Sequence, residues 1–322
     1  MVDIIRGQLD EQKIDEHLGR SLLDSLDGIV HSPGSDAGLA GSLRDVRREP
    51  NAISSGAFSD VYKGTWQGRA VAVKKLNRFN ARPYNADAFQ DAFSRELLIW
   101  QKLQHPNLLP ILGVDDQTVA PRLGLISPWM KAGNVQEAMR DMEEPPVLQW
   151  IRQVAQGLEY LHEKKCVHGD IRGANVLVDD DLKVQLADFG LAAFTNPTRC
   201  DRTKARWTAP ELLSGTIPRP NRESDVFSFA SLCFELLTRN VPYGDIDHDA
   251  DVIHMVLRGE RPRSADTKMP EVLRTAMQIC WREDPKERPK MPAVVSSLVE
   301  LDGSTNRNSL QVLRRDGDVA SE

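Results

Sequence analysis

The chain has few cysteines: Cys166, Cys200, Cys233 and Cys280, widely spaced in 322 residues. They show neither a disulfide framework nor the spacing of a structural zinc site, which points to a reducing compartment. Positive charge is not in excess either, since 41 Lys and Arg face 47 Asp and Glu for a net charge of -6. No bulk field exists to hold nucleic acid or an anionic membrane. A long apolar run is missing at the start, where MVDIIRGQLDEQ meets charge almost at once, so neither a secretory signal nor a membrane anchor is readable. Internal repeats are also absent. What remains is the expectation of a soluble, cytoplasmic protein whose 40% hydrophobic and 27% charged residues suffice for one or two domain cores.

Four stretches differ in pattern. In residues 1–47, Ile14, Leu18, Leu22, Leu26 and Ile29 recur at helical spacing and SPGSDAGLAG follows as a flexible linker. That helix can pack on the protein's own surface or bind an unknown partner. Residues 48–130 open on short β-prone runs, with Val61, Tyr62 and Trp66 before a Gln67-Gly68 turn and Val71 to Val73 after it, which predicts an antiparallel hairpin. Phe89, Phe93, Leu97, Trp100 and Leu103 then trace one helix face, with Asn85 as its cap and Pro106 beyond its end. Glu96 lies inside this apolar stripe, and a carboxylate facing inward needs a cation.

Residues 131–302 read as mainly helical. Val147, Ile151, Val154, Leu158 and Leu161 stripe one helix, and Val226 to Leu237 is apolar nearly all round, as a buried helix should be. Between them VLVDDDLKVQL reads as a two-strand hairpin with an acidic turn, and residues 303–322 form a polar tail. The expected architecture is α+β and bilobal: a small β-rich lobe with one helix, joined through Ser127 to Gly133 to a larger helical lobe. Clefts between lobes are natural ligand sites.

The chemistry concentrates in HGDIRGANVLVDDDLKVQLADFG. Asn175 and Asp188 flank the hairpin, and hard oxygen ligands of this kind suit Mg²⁺, which takes one or two carboxylates together with phosphate oxygens. Asp170 is left to orient a hydroxyl and accept its proton.

In these motifs the chain resembles the eukaryotic protein-kinase family, most closely the tyrosine-kinase-like group of serine/threonine kinases in its fungal forms. Val71-Ala72-Val73-Lys74 looks like the lysine strand, Glu96 like its helix partner, and His168-Gly169-Asp170 to Asn175 like the catalytic loop. Asp188-Phe189-Gly190 is similar to the metal motif and Ala209-Pro210-Glu211 to the end of the activation segment. The resemblance implies a kinase using ATP and Mg²⁺ on a protein substrate. Asp170 is then the base, Lys74 the phosphate ligand held by Glu96, Arg172 an aid to the γ-phosphate, and Asn175 and Asp188 the metal ligands. It places Ser54, Gly56, Val61, Ala72, Ser127, Pro128, Met130 and Leu177 around the nucleotide. It also implies a structural ion pair between Glu211 and Arg288, with Asp225 anchoring the catalytic loop.

Three departures qualify the match. Ser54 and Ser59 replace the first and third glycines of the phosphate loop, leaving Gly56. Gly169 stands where most kinases carry an arginine that receives an activating phosphate. Lys204 occupies the position, five residues before Ala209, where serine/threonine kinases usually carry threonine. Arg172 and Arg206-Trp207-Thr208 lean towards tyrosine, so serine/threonine is the first reading and tyrosine or dual specificity stays open. A pseudokinase scaffold and a small-metabolite phosphotransferase are the rivals. Arg199, Arg202, Lys204 and Arg206 are read as a solvated basic stretch. With Gly169 unable to pair a phosphate, replacing Thr195, Thr198 and Thr203 together by alanine is expected to leave activity within about threefold in a labelled-ATP assay. A loss of orders of magnitude would refute this.

Overall fold

The computed structural model describes residues 43–55, 59–76, 100, 103–115, 124–189, 202–263, 269 and 271–299. The amino-terminal helix, most of the helix expected after Asn85, and the polar tail lie outside them. The chain divides into two compact units, Met1–Gln104 with Leu109–Trp129, and His105–Leu108 with Met130–Glu322.

The first unit is a sheet of short strands: β1 (Arg47–Arg48), β2 (Ser54–Ser55), β3 (Ser59–Trp66), β4 (Arg69–Leu76), β5 (Gly113–Asp115) and β6 (Gly124–Pro128). Their order is β1-β3-β4-β6-β5, with β2 also pairing with β3, and every pairing is antiparallel. β3 and β4 form the hairpin expected from the sequence. Gln67 and Gly68 take φ of 49° and 75°, the two left-handed positions that a two-residue turn needs to match strand twist. Because side chains alternate, Tyr62, Val73 and Ile126 fall in one cross-strand row and, with Val71 and Val46, make the core of this unit.

The sheet begins earlier than the linker reading of residues 1–47 allows. Leu43 donates its N–H to the Val114 carbonyl at 2.8 Å, and Val46 is buried. Their apolar side chains cover sheet that would otherwise face water, so residues 43–47 belong to the fold.

In the second unit, α1 (Val135–Arg140) starts at a capping box between Asn134 and Glu137. α2 (Val147–Glu163) buries Ile151, Val154, Leu158 and Leu161, the predicted stripe, each worth about 1.5–3 kcal/mol of transfer free energy. β7 (Val176–Val178) and β8 (Val184–Leu186) form the small hairpin. After a tight 3-10 turn over Arg202–Trp207 come α3 (Pro210–Leu213), α4 (Arg222–Thr238), α5 (Asp249–Leu257), α6 (Glu271–Cys280) and α7 (Met291–Val299). α4 is buried around most of its circumference, as its composition requires.

Residues 105–108 join this unit through β8. Asn107 donates its side-chain N–H to the Val184 carbonyl at 3.0 Å, and its own carbonyl accepts from Leu186 N–H at 2.9 Å. α2 passes this strap at Gly157, where a Cβ would lie 2.9 Å from the Asn107 carbonyl oxygen.

Arg288 and Glu211 form the ion pair implied by the sequence. Nη1 and Nη2 each donate to one Glu211 oxygen, at 2.7 and 2.8 Å, and the guanidinium also donates to the carbonyls of Glu223 and Arg282. The arginine is 4% exposed. Removing one partner strands the other charge, so Glu211→Ala is expected to cost about 3–5 kcal/mol in urea unfolding. A loss under about 1 kcal/mol would show that water reaches the pair.

Candidate active site

In the second unit, the loop of residues 168–175 joins α2 to β7 and is held from beneath by one carboxylate. Asp225, 1% exposed in the first turn of α4, accepts the His168 N–H at Oδ2 and the Gly169 N–H at Oδ1, both at 2.8 Å. Its Oδ2 also contacts His162 Nε2 at 2.9 Å. Such a bidentate acceptor fixes two consecutive peptide planes. Gly169 has φ of 77°, a left-handed conformation that glycine takes without strain, which gives a local reason for glycine where the resemblance expects arginine.

His168 is fully buried. Its Nδ1 accepts the Asp170 N–H at 3.2 Å, so a neutral ring carries its proton on Nε2, which has no hydrogen-bond partner among the described residues. Burial holds this imidazole below the ordinary histidine value, against the opposing pull of Asp225, Asp170 and Asp188.

Asp170 follows on this rigid base. Its carbonyl accepts from Asn175 Nδ2 at 2.8 Å, while the Asn175 carbonyl accepts from Ala187 N–H at 2.9 Å. Asn175 thus braces the loop internally with one hydrogen bond and ties it to the residue before Asp188 with the other. With Nδ2 committed to Asp170, the oxygen on the other side of the amide is the atom that can face a cation. Asp188 adds a carboxylate on backbone at φ 62°, a region aspartate tolerates better than most residues. No group of three or more His, Cys, Asp or Glu able to hold a metal occurs among the described residues. One carboxylate and one amide oxygen fit Mg²⁺, which keeps water and phosphate oxygens as its other ligands.

The Asp170 carboxylate faces two cations. Lys204 Nζ lies 2.6 Å from Oδ2, and Arg172 Nε lies 3.4 Å from Oδ1. Lys204 is therefore paired with a carboxylate rather than freely solvated, contrary to the reading of a basic surface stretch, and the same holds for Arg206. Arg206 donates to the carbonyls of Pro242, Tyr243 and Ile246 and to Asp249, so its charge is spent on structure. The side chains of Arg199 and Arg202, and Thr195, Thr198 and Thr203, lie outside the described residues.

Sequence reasoning missed Glu235, a carboxylate of α4 at 2% exposure. It accepts from Gln136 Nε2 of α1, from Gly173 N–H at 3.0 Å and from Trp207 Nε1 at 2.9 Å. It thereby joins the loop of residues 168–175 to the segment carrying Lys204. A Cβ at Gly173 would lie 2.6 Å from Glu235 Oε1, so this glycine is fixed by space. A polar residue inside an otherwise apolar helix was the available signal.

In the first unit, the strand register gathers the nucleotide candidates on one face of the sheet. Ser54 pairs with Val61, Val61 with Lys74, and Lys74 with Leu125, forming one row. Ala72 and Ser127 pair two residues along, on the same face. Pro128 pairs with Val71, whose side chain faces the core, so Pro128 can offer only its backbone to that row. Lys74 is 9% exposed. Gly56 and Glu96 lie outside the described residues. Met130 and Leu177 fall in the second unit, where Met130 is buried and Leu177 half-buried in β7.

Residues 48–298 match the family model for protein tyrosine and serine/threonine kinases. Among curated proteins, a probable serine/threonine-protein kinase of Dictyostelium discoideum is 30% identical over 257 residues, 77% of this chain and 27% of that protein. A second probable serine/threonine-protein kinase of the same organism is 30% identical over 260 residues, 77% of this chain and 19% of that protein. A serine/threonine-protein kinase of Arabidopsis thaliana is 29% identical over 258 residues, 77% of this chain and 43% of that protein. The chain spans less than half the length of these relatives.

Burial raises the Glu235 carboxyl above the ordinary carboxylate range, opposed by the hydrogen bonds from Gln136, Gly173 and Trp207. The unfolded chain therefore releases this proton first, and the folded state loses stability as pH climbs from the ordinary carboxylate value through the raised one. In Glu235→Gln the oxygen can serve Gly173 and Trp207 while a flipped Gln136 amide meets the new NH₂. This variant is expected to fold and to lack that downward step when thermal unfolding is followed from pH 4 to 8 (on the order of a carboxylate's titration range). Identical pH profiles for the two proteins would contradict the assignment.

Proposed function

The chain belongs to the protein tyrosine and serine/threonine kinase family, and from that premise we propose that it transfers the γ-phosphate of ATP to hydroxyl groups of proteins, serine and threonine first. Support for serine/threonine comes from what the relatives are named. The observation that carries the proposal is the geometry around Asp170, a carboxylate on a loop pinned by Asp225 and tied through Asn175 to the residue before Asp188.

In the proposed reaction, Asp170 orients the substrate hydroxyl and takes its proton. The oxygen bonds to the γ-phosphorus as the bond from that phosphorus to the β,γ-bridging oxygen breaks, and ADP leaves. Lys74 serves the α and β phosphates, with Glu96 as its expected partner. Asn175 and Asp188 are the residues suited to hold Mg²⁺, which when bound supplies positive charge to the phosphate oxygens. Ser54, Val61, Ala72 and Ser127 line the nucleotide face of the sheet in this reading, with Gly56, Pro128, Met130 and Leu177 contributing by resemblance, and Arg172 steadies the γ-phosphate.

The chemistry does not need a thiol. Burial pushes Cys280 up to about 12 and Cys233 well above the ordinary value, so neither supplies a thiolate. Cys166, Cys233 and Cys280 are free, which supports a reducing, intracellular setting. Among the described residues no helix is long and apolar enough to cross a membrane. A pseudokinase acting as a nucleotide-binding or scaffold module is the less favoured reading, because Lys74, Asp170, Asn175 and Asp188 are all present and the relatives are named as kinases.

Incubation with labelled ATP, Mg²⁺ and a generic basic protein should label that protein, and Asp170→Asn should lower turnover by about 10²- to 10⁴-fold. Nucleotide affinity should stay within about twofold, because Asp170 acts on the hydroxyl rather than on ATP. Equal labelling by both proteins removes Asp170 from the chemistry.

A further inference from the structure

The bond between Lys204 and Asp170 is the feature of this site that its resemblance does not supply. The two side chains are 25% and 13% exposed, and their 2.6 Å separation is that of a close charge-assisted hydrogen bond. Arg172 is the weaker neighbour: its Nε is 3.4 Å from the other oxygen and buried without a hydrogen-bond partner among the described residues. Lys204 therefore decides where Oδ2 points.

Its backbone is firmly seated. The Lys204 carbonyl accepts from Thr208 Oγ1 at 2.8 Å, Ala205 is fully buried, and Arg206 is fastened by the four contacts described above. Trp207 continues this seat, donating to Glu235, which in turn accepts from Gly173 of the catalytic loop. The ammonium and the carboxylate thus rise from one connected network.

We propose that Lys204 is a positioning residue of phosphoryl transfer, acting through Asp170. Its ammonium holds Oδ2 so that Oδ1 meets the incoming hydroxyl, and it sets a fixed positive charge beside the attacking oxygen. A hydroxyl bonded to Asp170 lies about 2.7 Å from the carboxylate and about 3–3.5 Å from the phosphorus it attacks. A cation on the same carboxylate is then a near neighbour of the equatorial oxygens, over which the loose transition state spreads its charge. The site is preorganised before substrate arrives.

This inference rests on the kinase reading, and the test separates the two. The full chain, Lys204→Met, Lys204→Gln, Lys204→Arg, Asp170→Asn and the Asp170→Asn/Lys204→Met double variant are compared for turnover on a basic protein and for Mg-ADP affinity by calorimetry. Lys204→Met and Lys204→Gln should each lose about 10- to 100-fold in kcat, with Mg-ADP affinity within about twofold. Either variant suffices if the other does not fold. Lys204→Arg should recover much of the loss, and in the Asp170→Asn background Lys204→Met should cost no more than about twofold further. Unchanged or faster turnover in both neutral variants, or losses that multiply in the double variant, overturn the role of Lys204 alone. An unmodified chain that transfers no phosphate overturns the kinase reading and this inference with it.

Discussion

A single buried carboxylate, Asp225 in the first turn of α4, receives the backbone N–H groups of His168 and Gly169 and contacts His162. With those two peptide planes fixed, the position of Asp170 follows, and through the Asn175 amide so does the approach to Asp188. Asp225 sits at 1% exposure, where an unpaired carboxylate would be costly, and its three polar neighbours meet that cost. The loop of residues 168–175 is therefore held in place by one helix.

The same helix supplies a second hold ten residues along. Glu235 reaches the loop at Gly173 and the segment of Lys204 at Trp207, so α4 contributes one carboxylate to the start of the loop and another to its far side. Phosphoryl transfer gains mostly from alignment and fixed charge rather than from covalent help. Under the proposed function, Asp225 and Glu235 serve that alignment by holding the loop at residues 168–169 and at Gly173. Arg206 extends it by fastening the 3-10 turn to the Pro242–Asp249 region.

The regular elements were legible because each obeys a period. The stripe of α2, the all-round apolarity of α4, the Gln67-Gly68 hairpin and the strands flanking the acidic turn all appear where the pattern predicts them. The pair Glu211 and Arg288 was legible only by resemblance, since 77 residues separate them. What escaped were bonds that depend on tertiary proximity. Lys204 and Arg206 looked like ordinary charges in a basic stretch, and nothing local tells a solvated cation from one aimed at a carboxylate. Residues 43–47 escaped for a related reason: their apolar content is too small to show a period, yet Val46 completes a core.

The strap of residues 105–108 makes the second unit discontinuous in sequence. A fragment beginning at Met130 would lack Asn107, leaving the Val184 carbonyl and the Leu186 N–H to water and a vacancy beside Gly157. Limited proteolysis at one junction cannot liberate a complete helical half. On the ribosome these four residues emerge well before the hairpin they join, so their docking must wait until Leu186 has been synthesised.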